Sequence, residues 1–177
     1  LFLCQNEGML INRILEELAG LDRMARKSVE KLPRKRFLYK NLSDIATQTR
    51  QFVGIAGLRG SGKTVLVKQL ASSLPHTFYL SADTLPANTS LFDLATALQR
   101  SFGIKHLMID EIHALSGWQG QLKKLYDFHE VKVVFTSSSS LELNETRYDL
   151  SRRLTLLQLP LFSFREYLAF SKNTEIP

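Results

Sequence analysis

The stretch that most restricts the fold is "QFVGIAGLRGSGKTVLVKQLASSL", Gln51 to Leu74. A short apolar run ends in Gly, a glycine-rich turn covers Gly57 to Thr64, and an apolar pattern at helical spacing then runs up to Pro75. Strand, loop and helix in that order are the setting that G-x-x-x-x-G-K-[ST] requires. Gly57, Gly60 and Gly62 let the backbone curl so that its amides converge on phosphate oxygens, which side chains would obstruct. The whole loop, Gly57, Leu58, Arg59, Gly60, Ser61, Gly62, Lys63, Thr64 and Val65, is therefore a candidate nucleotide-binding segment. The helix starting at Lys63 adds its positive end, Lys63 reaches the β- and γ-phosphates, and the Thr64 hydroxyl is placed to ligate Mg²⁺.

Such a loop predicts a carboxylate at the end of a second buried strand, and "KHLMIDEIHAL", Lys105 to Leu115, supplies one. Asp110 is the expected magnesium-side carboxylate, and Glu111 is placed to polarise an attacking water. His113 alone is too sparse for a metal centre and reads as packing or a polar contact after the strand. "VVFTSSSS" puts Thr136, Ser137 and Ser138 at the end of a further strand, where a hydroxyl near the γ-phosphate would orient water; a serine-rich turn is the plain alternative. Asp83 reads as the cap of a turn. Arg152 and Arg153 in "DLSRRL" are candidates for charge stabilisation in the transition state, against the plain reading of a surface pair. Trp118 reads as packing at a helix start.

Strands alternate with helices of about 12 residues, which argues for a parallel sheet covered on both faces. The expected strands are "QFVGIAG", "HTFYLSAD", "KHLMIDEI", "VKVVFTS" and "RRLTLLQLP". The helices are "KTVLVKQLASSL", "SLFDLATALQRSFG" with Ser90 as N-cap and Gly103 as stop, and "WQGQLKKLYDFH". Ser163 and Glu166 in "SFREYL" have the spacing of a capping box and start another helix. Ahead of all this, apolar residues from Met9 to about Val29 recur at three- and four-residue steps, an amphipathic helix ended by Pro33.

With 177 residues, 44% of them hydrophobic, the chain has room for one domain with a proper core. Residues 1–36 form an N-terminal helix and basic linker, 37–170 the core, and 171–177 the start of a further C-terminal region. The net charge of +6 is concentrated in "RMARKSVEKLPRKR", residues 23 to 36. That run is a solvated helix face and linker, or else a contact for nucleic acid. A single cysteine, Cys4, excludes an internal disulfide and a cysteine-based zinc site, which fits a reducing cytoplasm. No apolar run approaches the roughly 20 residues of a membrane helix.

The glycine-rich loop, "IDEIH", "FTSSS", "DLSRR" and "SFREYL" occur in this order, and the chain from about Arg34 to Leu168 resembles AAA+-type ATPases of bacteria and archaea. The resemblance implies a three-layer αβα fold with a five-stranded parallel sheet in the order 5-1-4-3-2, bound ATP or ADP with Mg²⁺, and ATP hydrolysis that drives conformational change in a larger assembly. It also implies a first sensor at Ser138, with Ser137 beside it, and an arginine finger at Arg152 or Arg153 acting on a neighbouring subunit of a homo-oligomer. A small helical lid and a further domain commonly follow. Members usually have Gly where this chain has Ser137, and many have Val where it has Ser61. Two other classes compete: a nucleotide-dependent scaffold with little hydrolysis, and a helicase-like ATPase stimulated by nucleic acid, for which the second lobe has no room. A small-molecule kinase is disfavoured by Glu111, which is placed to act on water.

Overall fold

The computed structural model describes residues 2–138, 150 and 152–172, with side chains from Arg13 to Ser171. Five strands carry the fold: β1 Phe52–Ala56, β2 Thr77–Ser81, β3 His106–Asp110, β4 Lys132–Ser137 and β5 Leu154–Gln158. All pair in parallel, in the order β2-β3-β4-β1-β5. This is the expected order 5-1-4-3-2 seen from the other edge. Every residue of β1 and β4 is buried, as parallel strands covered on both faces require.

The helices are α1 Phe2–Val29, α2 Leu38–Gln48, α3 Lys63–Ser73, α4 Leu91–Phe102, α5 Trp118–Phe128 and α6 Phe164–Lys172. Alternate strand residues feed two cores. Phe52, Phe78, Leu107 and Val133 pack with Leu91 and Leu98 of α4 and Leu122 of α5. Val53, Tyr79, Met108 and Val134 pack on the other face with Leu42 of α2 and Leu66 and Leu70 of α3. The period of two along each strand thus produces three layers. Trp118 opens α5 and is buried, its ring 5.7 Å from that of Phe135.

Helix ends follow the expected chemistry in several places. Ser90 Oγ accepts from the amide of Asp93 at 3.3 Å, and Gly103 ends α4 at φ 62°. Ser163 Oγ accepts from the Glu166 amide at 3.1 Å, while the Glu166 carboxylate accepts from the Ser163 amide at 3.4 Å. That reciprocal pair is the capping box at the start of α6.

Two features differ from the sequence reading. The stretch read as a basic lead-in contains α2, an 11-residue helix with no side-chain cap on Phe37. Its stability comes from burying Leu42 and Ala46 against α3 and β1, which no local signal announces. Helix α1 begins at Phe2 rather than Met9, because extending an existing helix costs far less than nucleating one.

Helix α1 also guards a sheet edge. Asp22 Oδ1 accepts from the Tyr79 amide of edge strand β2 at 2.8 Å, and the Arg26 guanidinium donates to the carbonyls of Ala71 and Thr77. Arg26 and Asp22 are themselves paired at 2.8 Å. The Tyr79 amide and the Thr77 carbonyl of the edge strand are thereby occupied rather than offered to another chain.

Packing at the sheet centre is tight enough to test. A Cβ on Gly54 of β1 would lie 2.7 Å from Leu156 and 2.9 Å from the Phe135 ring. Gly54→Ala is expected to destabilise the domain by about 1–3 kcal/mol through overpacking. An unchanged urea midpoint for the variant would contradict this close approach.

Candidate functional site

The parallel register brings three strand ends to one side of the sheet. Ala56 of β1 pairs with Ser137 of β4, and Ile109 of β3 with Phe135, so Gly57, Asp110 and Ser138 all leave the sheet at that end. Loop, carboxylates and hydroxyls converge there because parallel crossovers return every strand in the same direction.

The glycine-rich loop is built by close approach and by left-handed backbone. A Cβ on Gly57 would lie 2.5 Å from the Leu159 carbonyl, so only glycine fits where the loop leaves β1 beside the chain after β5. Gly62, at φ 94°, is the N-cap of α3. Leu58, Arg59 and Gly60 are exposed at the tip, Ser61 is buried, and Val65 faces partly outward in the first turn of α3. Lys63 turns back under the loop. Its Nζ donates to the carbonyls of Gly57 at 2.8 Å and Leu58 at 3.2 Å, and the residue is only 4% exposed. Among the described residues no carboxylate lies within ion-pair distance of this ammonium. A buried cation compensated only by carbonyl dipoles fits an anionic ligand.

Opposite the loop, Asp110 ends β3 and is 3% exposed. Thr136 Oγ1 donates to Asp110 Oδ1 and accepts from the Glu111 amide at 2.9 Å. The Tyr79 hydroxyl donates to Asp110 Oδ2 at 3.2 Å. Burial, and then the Asp110 charge, push the Tyr79 phenol well above its ordinary range, so it stays a donor. These two hydroxyls fix both carboxylate oxygens.

Glu111 sits at φ 51°, a left-handed conformation uncommon for a residue with a side chain. Glu111 is the N-cap residue of the short turn Ile112–Ala114 that follows β3. Ser138 Oγ donates to Glu111 at 3.0 and 3.1 Å, and His113 Nδ1 lies 3.3 Å from Glu111 Oε2. His113 also approaches Ser137 Oγ at 3.5 Å. Glu111, His113, Ser137 and Ser138 therefore form one polar cluster, and His113 makes a polar contact after the strand, as its isolation in the sequence suggests.

A cavity of about 540 Å³ opens beside this cluster, lined by Thr64, Asp110, Glu111 and Asp83, with Leu21 and Met24 of α1 across from them. Asp83 Oδ1 accepts from Ser81 Oγ at 2.6 Å, but Asp83 is the middle residue of the short turn Ala82–Thr84, whose N-cap position is Ser81, and does not cap it. A larger cavity, about 710 Å³, lies at the opposite end of the strands around Lys105, His106 and Lys132, remote from the carboxylates. Among the described residues, no group of three or more His, Cys, Asp or Glu makes a self-sufficient metal cage. Thr64 and Asp110 face one cavity, a donor set suited to a cation that completes its shell with phosphate oxygens and water.

The arginines stand elsewhere. Arg153 precedes β5 and donates to Asp127 at 2.8 and 3.0 Å, and Arg152 beside it is exposed. The hydrogen bond from Arg153 draws the Asp127 carboxyl below its usual range. Both arginines lie at the start of a strand whose other end, five residues on, adjoins the loop. At about 3.3 Å per residue that is roughly 16 Å away. Among the described residues, no hydrogen bond or ion pair joins either arginine's side chain to the loop, Asp110 or Glu111. Neither Tyr79, an ordinary strand aromatic, nor Arg36, one charge in a basic run, stands out in the sequence. A pairing of Tyr79 with Asp110 could have been found only from strand order, since β2 and β3 are neighbours.

No helix among the described residues is long and apolar enough to cross a membrane. The chain is 34% identical to an uncharacterized protein of Methanocaldococcus jannaschii over 81% of its own length, and spans about a third, 34%, of that relative. Similar solved structures include Pif1 helicases at forked DNA, with 13% identity and TM-score 0.49 over 73% of this chain and 44% of that one. Another is AMPPCP-bound DnaA from Aquifex aeolicus, with 16% identity and TM-score 0.48 over 79% and 51%. The profile of the AAA domain matches residues 49–168, from just before β1 into α6, and so takes in the loop, both carboxylates and the strand-end hydroxyls. That match covers about two thirds of the sequence, and the chain belongs to the AAA domain family.

Proposed function

We propose that the chain is the nucleotide-hydrolysing module of an AAA-type ATPase, binding ATP with Mg²⁺ and releasing ADP and phosphate. The observation that carries this reading is Lys63, a buried ammonium bonded, among the described residues, only to the carbonyls of its own loop, at the foot of a helix N-terminus. An ATP polyphosphate supplies the counter-charge and accepts from the loop amides. Thr64 and Asp110 would hold Mg²⁺, which neutralises charge on the phosphate oxygens when bound.

Glu111 is the general base. Its carboxylate takes a proton from water as the water oxygen attacks the γ-phosphorus, and the bond to the ADP oxygen breaks with the electron pair leaving on ADP. Ser138, whose hydroxyl already reaches Glu111, orients that water. Arg152 and Arg153, too far from their own loop, serve a neighbouring subunit's γ-phosphate in a homo-oligomer. The module belongs to the bacterial and archaeal ATPases marked by "IDEIH" and "SFREYL", and hydrolysis drives a conformational change in the larger protein.

Phosphate release by the full-length protein tests the reading. Release is expected to require Mg²⁺ and to fall on the order of 10²-fold or more in Asp110→Asn, which removes the charge that holds the cation. ATP binding without any Mg²⁺-dependent release would leave a scaffold instead of an enzyme.

A further inference from the structure

We propose that Arg36 is a positioning residue for the phosphate loop, that Glu166 holds it in place, and that seating of α6 thereby sets nucleotide affinity. This rests on the loop binding nucleotide, as argued above. Arg36 lies in the connection between α1 and α2, is 6% exposed, and contacts three separate parts of the chain. Its Nε and Nη2 donate to the two oxygens of Glu166 at 2.8 and 2.9 Å, a bidentate pair. Nη2 also donates to the Pro160 carbonyl at 2.9 Å, and Nη1 to the Ser61 carbonyl at 2.6 Å. The guanidinium plane lies over the Phe162 ring, 4.3 Å from its centroid.

The Ser61 contact is the consequential one. Ser61 and Gly62 share a planar trans peptide, so a carbonyl held toward Arg36 aims the Gly62 N–H the opposite way. That amide is one of those the glycine-rich loop presents to phosphate. Ser61 contributes no side-chain anchor of its own: its buried Oγ has no hydrogen-bond partner among the described residues. The orientation of this peptide therefore depends on Arg36, which reaches it from outside the loop.

Glu166 is organised to keep Arg36 there. Besides the guanidinium it accepts from the amides of Phe37 at 3.1 Å and Ser163 at 3.4 Å, and it is 4% exposed. Burial alone would raise its carboxyl, but the hydrogen bonds from Arg36, Phe37 and Ser163 outweigh it and hold the group below the usual carboxylate range. Since Glu166 stands in the first turn of α6, displacing that helix withdraws the carboxylate and frees the Ser61 carbonyl. A lysine could not replace the guanidinium, because a point charge cannot serve two carboxylate oxygens and two carbonyls from one plane.

The test compares full-length wild type, Arg36→Lys and the double variant Arg36→Met/Glu166→Leu, measuring ATP affinity by calorimetry, kcat and KM by phosphate release, and melting without nucleotide. Both variants are expected to bind ATP about tenfold more weakly or worse, with KM raised in parallel. Saturated kcat should be retained, because Arg36 touches neither Glu111 nor the water it activates. The double variant should melt below wild type, because the Phe37 and Ser163 amides and the Ser61 and Pro160 carbonyls lose their partners, yet it strands no buried charge and so should still fold. It decides the matter if Arg36→Lys does not fold. Wild-type ATP affinity in the double variant, with only its melting altered, would overturn the positioning role and leave the ATPase reading intact. A wild-type protein that binds no ATP would overturn both.

Discussion

Glu111→Gln is expected to lower the turnover of ATP by about 10² to 10⁴-fold, the range supplied by a positioned general base, with ATP affinity little changed. The substitution keeps the shape of the side chain and an oxygen for Ser138 Oγ, which now donates to Glu111 at 3.0 Å. It also keeps the same branching at Cβ, so the left-handed backbone at φ 51° is no harder to hold. What it removes is the capacity to take a proton. A loss of rate without a loss of binding would therefore isolate the chemical step. Steady-state phosphate release and a nucleotide titration on the same preparations give both quantities. Equal rates for the two proteins would refute the base assignment, and the cluster of Ser138, His113 and Glu111 would then be a polar support for the turn after β3.

Lys63→Ala is expected to weaken ATP binding by roughly 10- to 100-fold, the loss of charge-assisted contacts to phosphate, and so to erase about half or more of the thermal stabilisation that ATP confers. At an ATP concentration of about 100 times Kd, that stabilisation is worth about 2.7 kcal/mol in the wild type. The ligand-free protein should respond in the opposite sense. Lys63 is a buried ammonium facing two carbonyls, and removing it relieves a desolvated charge. Its melting temperature should stay level or rise. If Lys63→Ala instead melts far below wild type without nucleotide, the lysine is a structural strut for the loop, and the anion reading of this site fails. Paired melting curves with and without ATP separate the two.

Much of the site was legible because its chemistry needs residue types at fixed spacing along one local segment. The loop from Gly57 to Thr64 is such a case: turn, phosphate cradle and helix start are all properties of eight consecutive residues. Asp110 and Glu111 followed from an apolar strand ending in acid. Sheet order, by contrast, was expected only through family resemblance, since periodicity says which face a strand buries and nothing about its neighbour. Helix α2 has no cap to mark it in the sequence, because two buried residues against α3 and β1 stabilise it.

By itself the sequence determined the strand–loop–helix unit, the alternation that demands a parallel sheet, the capping box and the identity of the acidic residues, because these are local in chain distance. Only the tertiary structure decided what each polar group is paired with. The Tyr79 and Thr136 hydroxyls reach Asp110 across 31 and 26 residues, and Arg36 reaches Glu166 across 130. Such pairs form where the packed sheet and its covering helices bring distant chain together in a setting too dry to leave a charge or hydroxyl alone, and the cost of an unpaired buried group, rather than any sequence spacing, selects the partners.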